Sequence, residues 1–284
     1  MSRKVTIQGV AGCFHDAAAR AYFVDEDVET VECDTFHGMM DTLDGDASLT
    51  GIMAIENTIA GALLQNHELL RRSSHTIVGE IKMRISHVLC ALPGLTINDL
   101  TEVGSHPMAL MQCEQFLRHH PHLKLTETFD TAGTARDISA GPADSHMGAV
   151  CGELAAKLYG LNVIERGIET NKRNFTRFLI LADPLNADSM RPRPEDCDKA
   201  SIVFTLPHTH GSLSKVLTIF TFYDINLTKI QSMPIIGREW EYRFYADLTF
   251  DSMVRYRQAI DAVRPLINDF RSLGEYKACR NEIN

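Results

Sequence analysis

The sequence predicts an α/β protein of two units, and three observations carry that prediction. Residues 1 to about 183 alternate short β-like runs with amphipathic helical runs, the pattern of helices laid against a sheet. Residues 184–199, PLNADSMRPRPEDCDK, then bring three prolines and several charges without apolar periodicity, which is the composition of an interdomain linker. Residues 200–284 finally read strand, helix, strand, strand, helix, strand, the ferredoxin-like βαββαβ order.

Taken in chain order, the first unit opens with a strand over Val5–Gln8, a helix over His15–Phe23 and a buried strand over Gly51–Ile55. Thr76–Leu92 is β-like throughout but too long for one typical strand, so it is expected to cross between two lobes. A second series follows: strand Leu100–Val103 into a helix from Pro107, strand Leu123–Thr128 into a helix from Ala132, and strand His146–Cys151 into a helix from Glu153. Leu161–Glu165 and Phe178–Ala182 read as returning strands, which makes 1–183 a two-lobed unit with a central cleft. After the linker come strand Ser201–Leu206, helix Ser212–Tyr223, strands Leu227–Met233 and Tyr242–Phe250, helix Met253–Phe270 and strand Tyr276–Ile283. Leu213, Val216, Leu217 and Phe220 share one face of the first of these helices. Met253, Ile260, Val263, Ile267 and Phe270 share one face of the second, so both need a sheet to cover.

Composition narrows the function classes. With 284 residues, 44% hydrophobic and 23% charged, the chain has enough apolar content for a packed core. The net charge of −9 and scattered basic residues give no footprint for nucleic acid or an anionic membrane. Seven widely spaced cysteines without a CxxC argue against a disulfide framework or zinc ribbon and fit a reducing, cytoplasmic compartment. The N-terminus has no apolar signal-like core and no run of 18 apolar residues follows, so nothing exports or anchors the chain. The histidines of Arg118-His119-His120-Pro121-His122 sit at a helix end without a completing ligand motif, and no metal is expected.

Candidate chemistry lies where strands end and helices begin. Gln8-Gly9-Val10-Ala11-Gly12, Ser105-His106-Pro107 and Asp130-Thr131-Ala132-Gly133-Thr134 offer small residues and helix N-termini to anions, although each is also an ordinary helix start. Ile55-Glu56-Asn57-Thr58 concentrates polar groups at the end of a buried strand, where a ligand crevice or a simple turn is expected. Asn174-Phe175-Thr176-Arg177-Phe178 combines an amide, a hydroxyl and a guanidinium, groups that bind a carboxylate and donate a hydrogen bond, or that form an ion pair at a strand edge.

The segments QGVAGCF, AIENTIAG, IVGE, GSHPMALMQC, DTAGTA, GAVCGELAAKLYGL and above all NFTRF occur in one order, and through them the chain resembles prephenate dehydratase over essentially its whole length. The resemblance implies a bilobal catalytic unit like type II periplasmic binding proteins, with the active site in its cleft, and a C-terminal ACT regulatory domain that senses L-phenylalanine. The implied reaction takes prephenate to phenylpyruvate with loss of carbon dioxide and water, and needs no cofactor. Carried over by motif, Thr176 is the donor to the leaving hydroxyl and Arg177 the carboxylate clamp; Glu56 is a candidate acid, kept protonated in a closed cleft, or equally a structural residue. Asn57, Thr58, Ser105, Thr131, Ala132, Gly133, Asn174 and Phe178 are matched to substrate binding or site shaping, and His106 orients Ser105 or caps its helix.

Two regulatory segments depart from the family pattern. Gln231-Ser232-Met233-Pro234 stands where Glu-Ser-Arg-Pro is common, and Gly211-Ser212-Leu213-Ser214 where Gly-Ala-Leu-Val is common. An effector held by Gly211, Ser212, Leu213, Gln231, Ser232, Met233 and Pro234 would therefore lose two charged contacts. Pairing of ACT domains implies a homodimer or homotetramer. Arogenate dehydratase is the nearest alternative activity, and a non-catalytic ligand sensor the alternative of another class.

Overall fold

The computed structural model describes residues 2–280 and 282–283. It is an α/β protein with three sheets. Arg3–Gln8, Val28–Cys33 and Thr50–Asn57 pair in parallel, and Phe175–Ala182 is inserted antiparallel between Thr50–Asn57 and Thr76–Arg84. That sheet is the first lobe. The second lobe is a five-stranded sheet in the order Asn162–Arg166, Val88–Ala91, Met147–Cys151, Glu102–Ser105, Lys124–Glu127.

The lobes are joined where the sequence suggested. The long run from Thr76 breaks at Ile85-Ser86-His87, so that Thr76–Arg84 stays in the first sheet and Val88–Ala91 enters the second. The return passes through residues 167–174 into Phe175–Ala182. Ile85 N–H donates to the carbonyl of Asn174, tying the two crossings together at 2.7 Å.

Strands Lys199–Thr205, Asn226–Pro234, Tyr242–Thr249 and Asn268–Tyr276 form the third sheet, with Asn226–Pro234 at one edge and Asn268–Tyr276 at the other. Taken in chain order these are strands one to four, and the sheet order 2-3-1-4 is the ferredoxin-like arrangement. Ala200, Ile202, Phe204, Ala246 and Leu248 point toward the helices Ser212–Phe222 and Met253–Val263 and make one core. Their neighbours Val203, Tyr245, Leu273 and Tyr276 point the other way, into a core shared with Met53, Ile55, Ile77, Leu179 and Leu181 of the first lobe. Period-2 alternation thus gives this sheet two apolar faces. One covers its own helices and the other covers the first lobe.

Several elements differ from the sequence reading. Val28–Cys33 and the helices Phe36–Gly45 and Leu64–Arg72 were not anticipated. The segment read as linker contains a helix, Pro184–Met190, capped by the Asp183 carboxylate on Leu185 N–H at 2.8 Å. The helix expected over Met253–Phe270 stops at Val263, because Pro265 cannot continue it, and a 3-10 turn leads directly into strand Asn268–Tyr276. The strand expected over Tyr276–Ile283, of which Asn281 lies outside the described residues, is corrected accordingly: Tyr276 ends the third sheet, and Glu282–Ile283 adds in parallel to Thr76–Arg84 of the first.

Polar contacts reinforce the shared core. The Glu68 carboxylate, in helix Leu64–Arg72, accepts from Tyr245 Oη at 2.9 Å and Arg243 Nη1 at 3.3 Å, while Arg71 and Arg72 pair with it from its own helix. Arg71, with Arg72 and Tyr245, holds that carboxyl down to about 2 against partial burial. Strand Asn268–Tyr276 approaches Thr76–Arg84 so closely that a Cβ on Gly274 would overlap the carbonyl oxygen of Ile77. A backbone atom cannot swing aside as a side chain can. Gly274→Ala is therefore expected to destabilise the chain by about 1–3 kcal/mol, or roughly 2–12 °C in Tm. Differential scanning calorimetry checks this, and an unchanged Tm would mean the two strands are not held at this distance.

Candidate functional site

Between the lobes lies a cleft of about 610 Å³ lined from both sides. The first lobe gives it Gln8, Cys13, Phe14, His15, Phe36, Asn57, Thr176 and Phe178, and the second gives His106, Pro107, Met108, Gln112, Asp130 and Thr131, with His87 on the crossing. Three helices, Phe14–Tyr22, Pro107–Gln112 and Thr131–Ala140, begin at its wall, as expected of the glycine- and hydroxyl-bearing segments. Phe178 forms the floor, 1% exposed, with its ring edge-on to His15 at 5.1 Å.

Hydrogen bonds fix the polar end of the cleft one group at a time. Asn57 Oδ1 accepts from the N–H groups of Ile59 and Ala60, both at 2.9 Å, so the other amide atom must be the nitrogen. That Nδ2 donates to Asn174 Oδ1 at 2.8 Å and to Thr176 Oγ1 at 2.9 Å. Asn174 Nδ2 in turn donates to Gln112 Oε1 at 2.9 Å, and the same oxygen lies 2.9 Å from His87 Nε2, which must then carry the proton. Gln112 keeps its NH₂ group for a ligand. The Thr176 oxygen accepts the bond from Asn57, so its O–H remains available as a donor where the side chain lines the cleft.

His15 and His87 are held neutral by burial. Burial pushes His15 down from 6.5 to about 4, with its Nε2 accepting from Ala54 N–H, and burial also lowers His87 against the pull of Gln112 and Glu169. None of the residues lining the cleft is a lysine or arginine, and Asp130 is the one carboxylate among them. Burial raises Asp130 although the N–H groups of Gly133 and Ala132 stabilise its charge.

Four of the candidates read from the sequence, Arg177, Glu56, Ser105 and Thr58, lie outside the cleft lining. Arg177 was assigned as a carboxylate clamp, but it follows Thr176 on a strand, and period-2 alternation turns it to the opposite face. There it is 5% exposed and paired with Glu56 Oε1 at 2.7 Å, Glu80 Oε2 at 3.0 Å and Asp247 of the third sheet. Glu56, offered as a protonated acid, faces the same way: burial pushes its carboxyl up, yet Arg177 and Lys229 outweigh it and hold the group below the ordinary carboxylate value. Ser105 is fully buried and donates to the Val150 carbonyl at 2.6 Å, so it braces a strand. Thr58 donates to the Arg173 carbonyl and accepts from Phe175 N–H, stitching two loops beside a second cavity of about 470 Å³.

The remaining candidates are placed as follows. His106 takes the capping role, its Nδ1 accepting from Met108 N–H at 3.2 Å, while Thr131 lines the cleft mouth. Ala132 and Gly133 lie within the first turn behind it, with Gly133 N–H donating to Asp130 Oδ1 at 2.6 Å. Asn174 is wholly buried and links Asn57 to Gln112. In the third sheet Gln231 and Met233 stand opposite Tyr245 and Arg243 and so face the first lobe. Ser232 faces the helices, Pro234 ends the strand, and Gly211, at φ 73°, starts the helix that Ser212 and Leu213 enter.

Sequence reasoning missed Gln112 and His87, and named Asp130 only as part of a helix-start segment. Gln112 was inside the quoted motif GSHPMALMQC, and its i+5 spacing from Pro107 places it on the same short helix at the cleft wall. His87 gave no local signal, since only the break in a long β-run brings it beside Gln112.

This architecture defines an interlobe small-molecule enzyme site joined through a shared core to a ferredoxin-like unit. Residues 5–185 match the family model for prephenate dehydratase. The chain is 34% identical over 96% of its length to arogenate dehydratase/prephenate dehydratase 2, chloroplastic, of Arabidopsis thaliana, covering 72% of it. It is 35% identical to arogenate dehydratase 1 of Petunia hybrida, again over 96% of the chain but only 66% of the relative's length. Among solved structures, GqqA, described as a novel type of quorum quenching acylase, superposes with TM-score 0.84 at 27% identity over 98% of this chain and 99% of its own. The prephenate dehydratase of Arthrobacter aurescens in complex with L-Phe superposes with TM-score 0.83 at 25% identity over 97% and 90%. The chain belongs to the prephenate dehydratase family, and it is a lyase.

Buried neutral histidines make stability depend on pH. His67, like His15, is lowered from 6.5 to about 4, chiefly by burial. Between those values the unfolded chain binds protons that the folded chain refuses, so unfolding free energy falls as pH drops from 6.5 toward 4. Each histidine contributes up to about 1.4 kcal/mol per pH unit to that slope. Urea unfolding at pH 7 and pH 5 checks it; His67→Phe is expected to flatten the slope, and an equal slope in the variant would contradict the assignment.

Proposed function

We propose that the cleft converts prephenate to phenylpyruvate with loss of carbon dioxide and water, Thr176 donating a hydrogen bond to the departing ring hydroxyl, which takes up a proton from solvent as it leaves as water. The observation that carries this reading is the Asn57–Thr176 contact, which fixes the Thr176 side chain at the cleft and leaves its O–H available to a ligand. As the ring carboxylate fragments, its electron pair moves through the ring to the leaving oxygen. Negative charge therefore grows at that oxygen, where a fixed donor stabilises the transition state more than the ground state. The free NH₂ of Gln112 is a second donor nearby.

The lack of lysine and arginine in the cleft lining fits the same chemistry. A cation clamped on the carboxylate that must leave as carbon dioxide would stabilise the ground state and oppose fragmentation. Helix N-termini and neutral donors bind it more loosely. The N-terminus of Phe14–Tyr22, whose N-cap Cys13 makes no side-chain cap, offers unpaired N–H groups to one of the two carboxylates.

Arogenate is the second reading. The names of the plant relatives favour it, and Asp130 is a carboxylate in the lining that suits an ammonium group. Residues 1–183 serve in this proposal as the catalytic unit, 184–199 as the connection and 200–284 as an ACT regulatory domain. L-Phenylalanine is its proposed effector, supported by the Arthrobacter relative solved with L-Phe. Pairing of these domains into a homodimer or homotetramer and a cytoplasmic location complete the proposal; among the described residues no helix is long and apolar enough to cross a membrane.

The test is turnover of prephenate and of arogenate by the wild type and by Thr176→Ala and Thr176→Ser. Thr176→Ala is expected to lose about 100-fold or more in kcat, and Thr176→Ser to keep most of it. Turnover of arogenate alone would select the second reading, and a folded protein inactive on both would leave a ligand sensor. In parallel, Gln112→Ala is expected to lower kcat on the order of tenfold and to weaken the amide chain that orients Asn57; unchanged kcat and KM would remove Gln112 from the site.

A further inference from the structure

Two adjacent residue pairs of the first sheet stand on opposite sides of it. Thr176 is in register with Asn57, and Arg177 with Glu56. The first pair faces the cleft, while the second faces the ferredoxin-like unit and enters a cluster of three acids and three bases. Glu56, Glu80 and Asp247 meet Arg177, Lys199 and Lys229. Lys199 Nζ pairs with Glu80 at 2.8 Å, and Asp247 Oδ1 accepts from Ser201 Oγ at 2.6 Å, which in turn lies 2.7 Å from Tyr276 Oη. A cluster of this kind, most of it buried, is neutral only when all six members are present, and losing one partner of a buried pair leaves an uncompensated charge.

One part of the cluster is looser than the rest. Arg177 Nε and Lys229 Nζ lie 2.7 and 2.8 Å from the Glu56 oxygens, but Arg177 Nε has no aligned hydrogen-bond acceptor, and the Glu56 carboxylate is shared between the two cations. The second cavity is lined by Glu56, Arg177, Lys229 and Gln231 and reaches the edges of Asn57 and Thr176 as well, so the Glu56 side chain and its partners have room to shift. Lys229 stands two residues before Gln231 on strand Asn226–Pro234, an edge strand of its sheet.

We propose that Arg177, Glu56 and Lys229 are positioning residues that set the Asn57–Thr176 pair, so that displacement of strand Asn226–Pro234 changes turnover without any contact to substrate. The inference rests on Thr176 as the donor proposed above. Lys229 holds the Glu56 carboxylate, Glu56 holds the backbone next to Asn57, and Arg177 holds the backbone next to Thr176. Movement of Lys229 is thereby carried to both cleft residues across two strand positions. Glu80 and Asp247 anchor the far side of Arg177, so the slack falls on Glu56.

Lys229→Met tests this against Glu68→Gln, which weakens a different polar contact between the same two units, the one made by Tyr245 and Arg243. Turnover and the Thr176 methyl resonance, assigned with Thr176→Ser, are measured in both. Lys229→Met is expected to lower kcat about tenfold with KM changed by less than about twofold, and to shift the Thr176 methyl signal. Glu68→Gln is expected to leave kcat within about twofold and the signal in place, even where it lowers Tm as much. Lys229→Arg, which keeps the charge, is expected to restore most of kcat. Equal effects of Lys229→Met and Glu68→Gln, or an unmoved Thr176 signal in Lys229→Met, would overturn the proposal. Should Lys229→Met fail to fold, Glu56→Gln removes the same ion pair from the other side and is read by the same criteria. A wild type inactive on both ring substrates would defeat the catalytic assignment alone, because the methyl signal still reports the coupling.

Discussion

A charged guanidinium in the middle of the molecule constrains everything around it. Arg177 is almost fully buried, and burial works against its charge; the carboxylates of Asp247, Glu56 and Glu80 outweigh that cost and keep it ionised. Those acids come from three different strands, two in the first lobe and one in the ferredoxin-like unit. Neither unit balances its charge alone, since the first would hold Arg177 against two carboxylates, Glu56 and Glu80, and the second would hold Asp247 without its main partner. Burial pushes Asp247 up and Arg177 and Lys199 bring it down, so the two units satisfy each other's charge as well as their apolar faces.

The cleft uses the opposite strategy. Its polar end is built from amides, a hydroxyl and neutral imidazoles, each with its donor and acceptor sides assigned by a neighbour. Such a chain has one satisfied arrangement, because reversing any amide would set donor against donor. Rigidity of this kind suits the proposed reaction, in which charge grows on a single leaving oxygen. Donors that already point at the developing charge cost no reorganisation when it appears.

Much of this was readable in the residues. The break between lobes followed from the excessive length of Thr76–Leu92, and the cleft-lining places of Asn57, Thr176, Thr131 and His106 follow from strand ends and helix starts. Motif order alone did not show facing. Thr176 and Arg177 stand side by side in NFTRF, and only the pleat of a strand, unstated in a motif, sends one to the cleft and the other to a partner 70 residues further on. The same blindness put Glu56 in the cleft with Asn57. His87 and Gln112 escaped because 25 positions separate them and neither stands in a charged or glycine-rich setting. The helix running to Phe270 was overdrawn because apolar spacing continued past Pro265, where the backbone could not.

One feature of the first sheet bears on how the chain acquires its structure. Strand Phe175–Ala182 is wedged between Thr50–Asn57 and Thr76–Arg84, although some 90 residues and the entire second lobe are made between them. During synthesis the N-terminal sheet must therefore wait with a gap at its centre, its hydrogen-bonding edges unpaired, until the intervening lobe has emerged. Pairings of such long sequence separation are slow to form, and open strand edges attract other chains meanwhile. Nascent-chain protection by chaperones would matter most in the interval between residues 84 and 175, before the strand that bears Thr176 closes the gap.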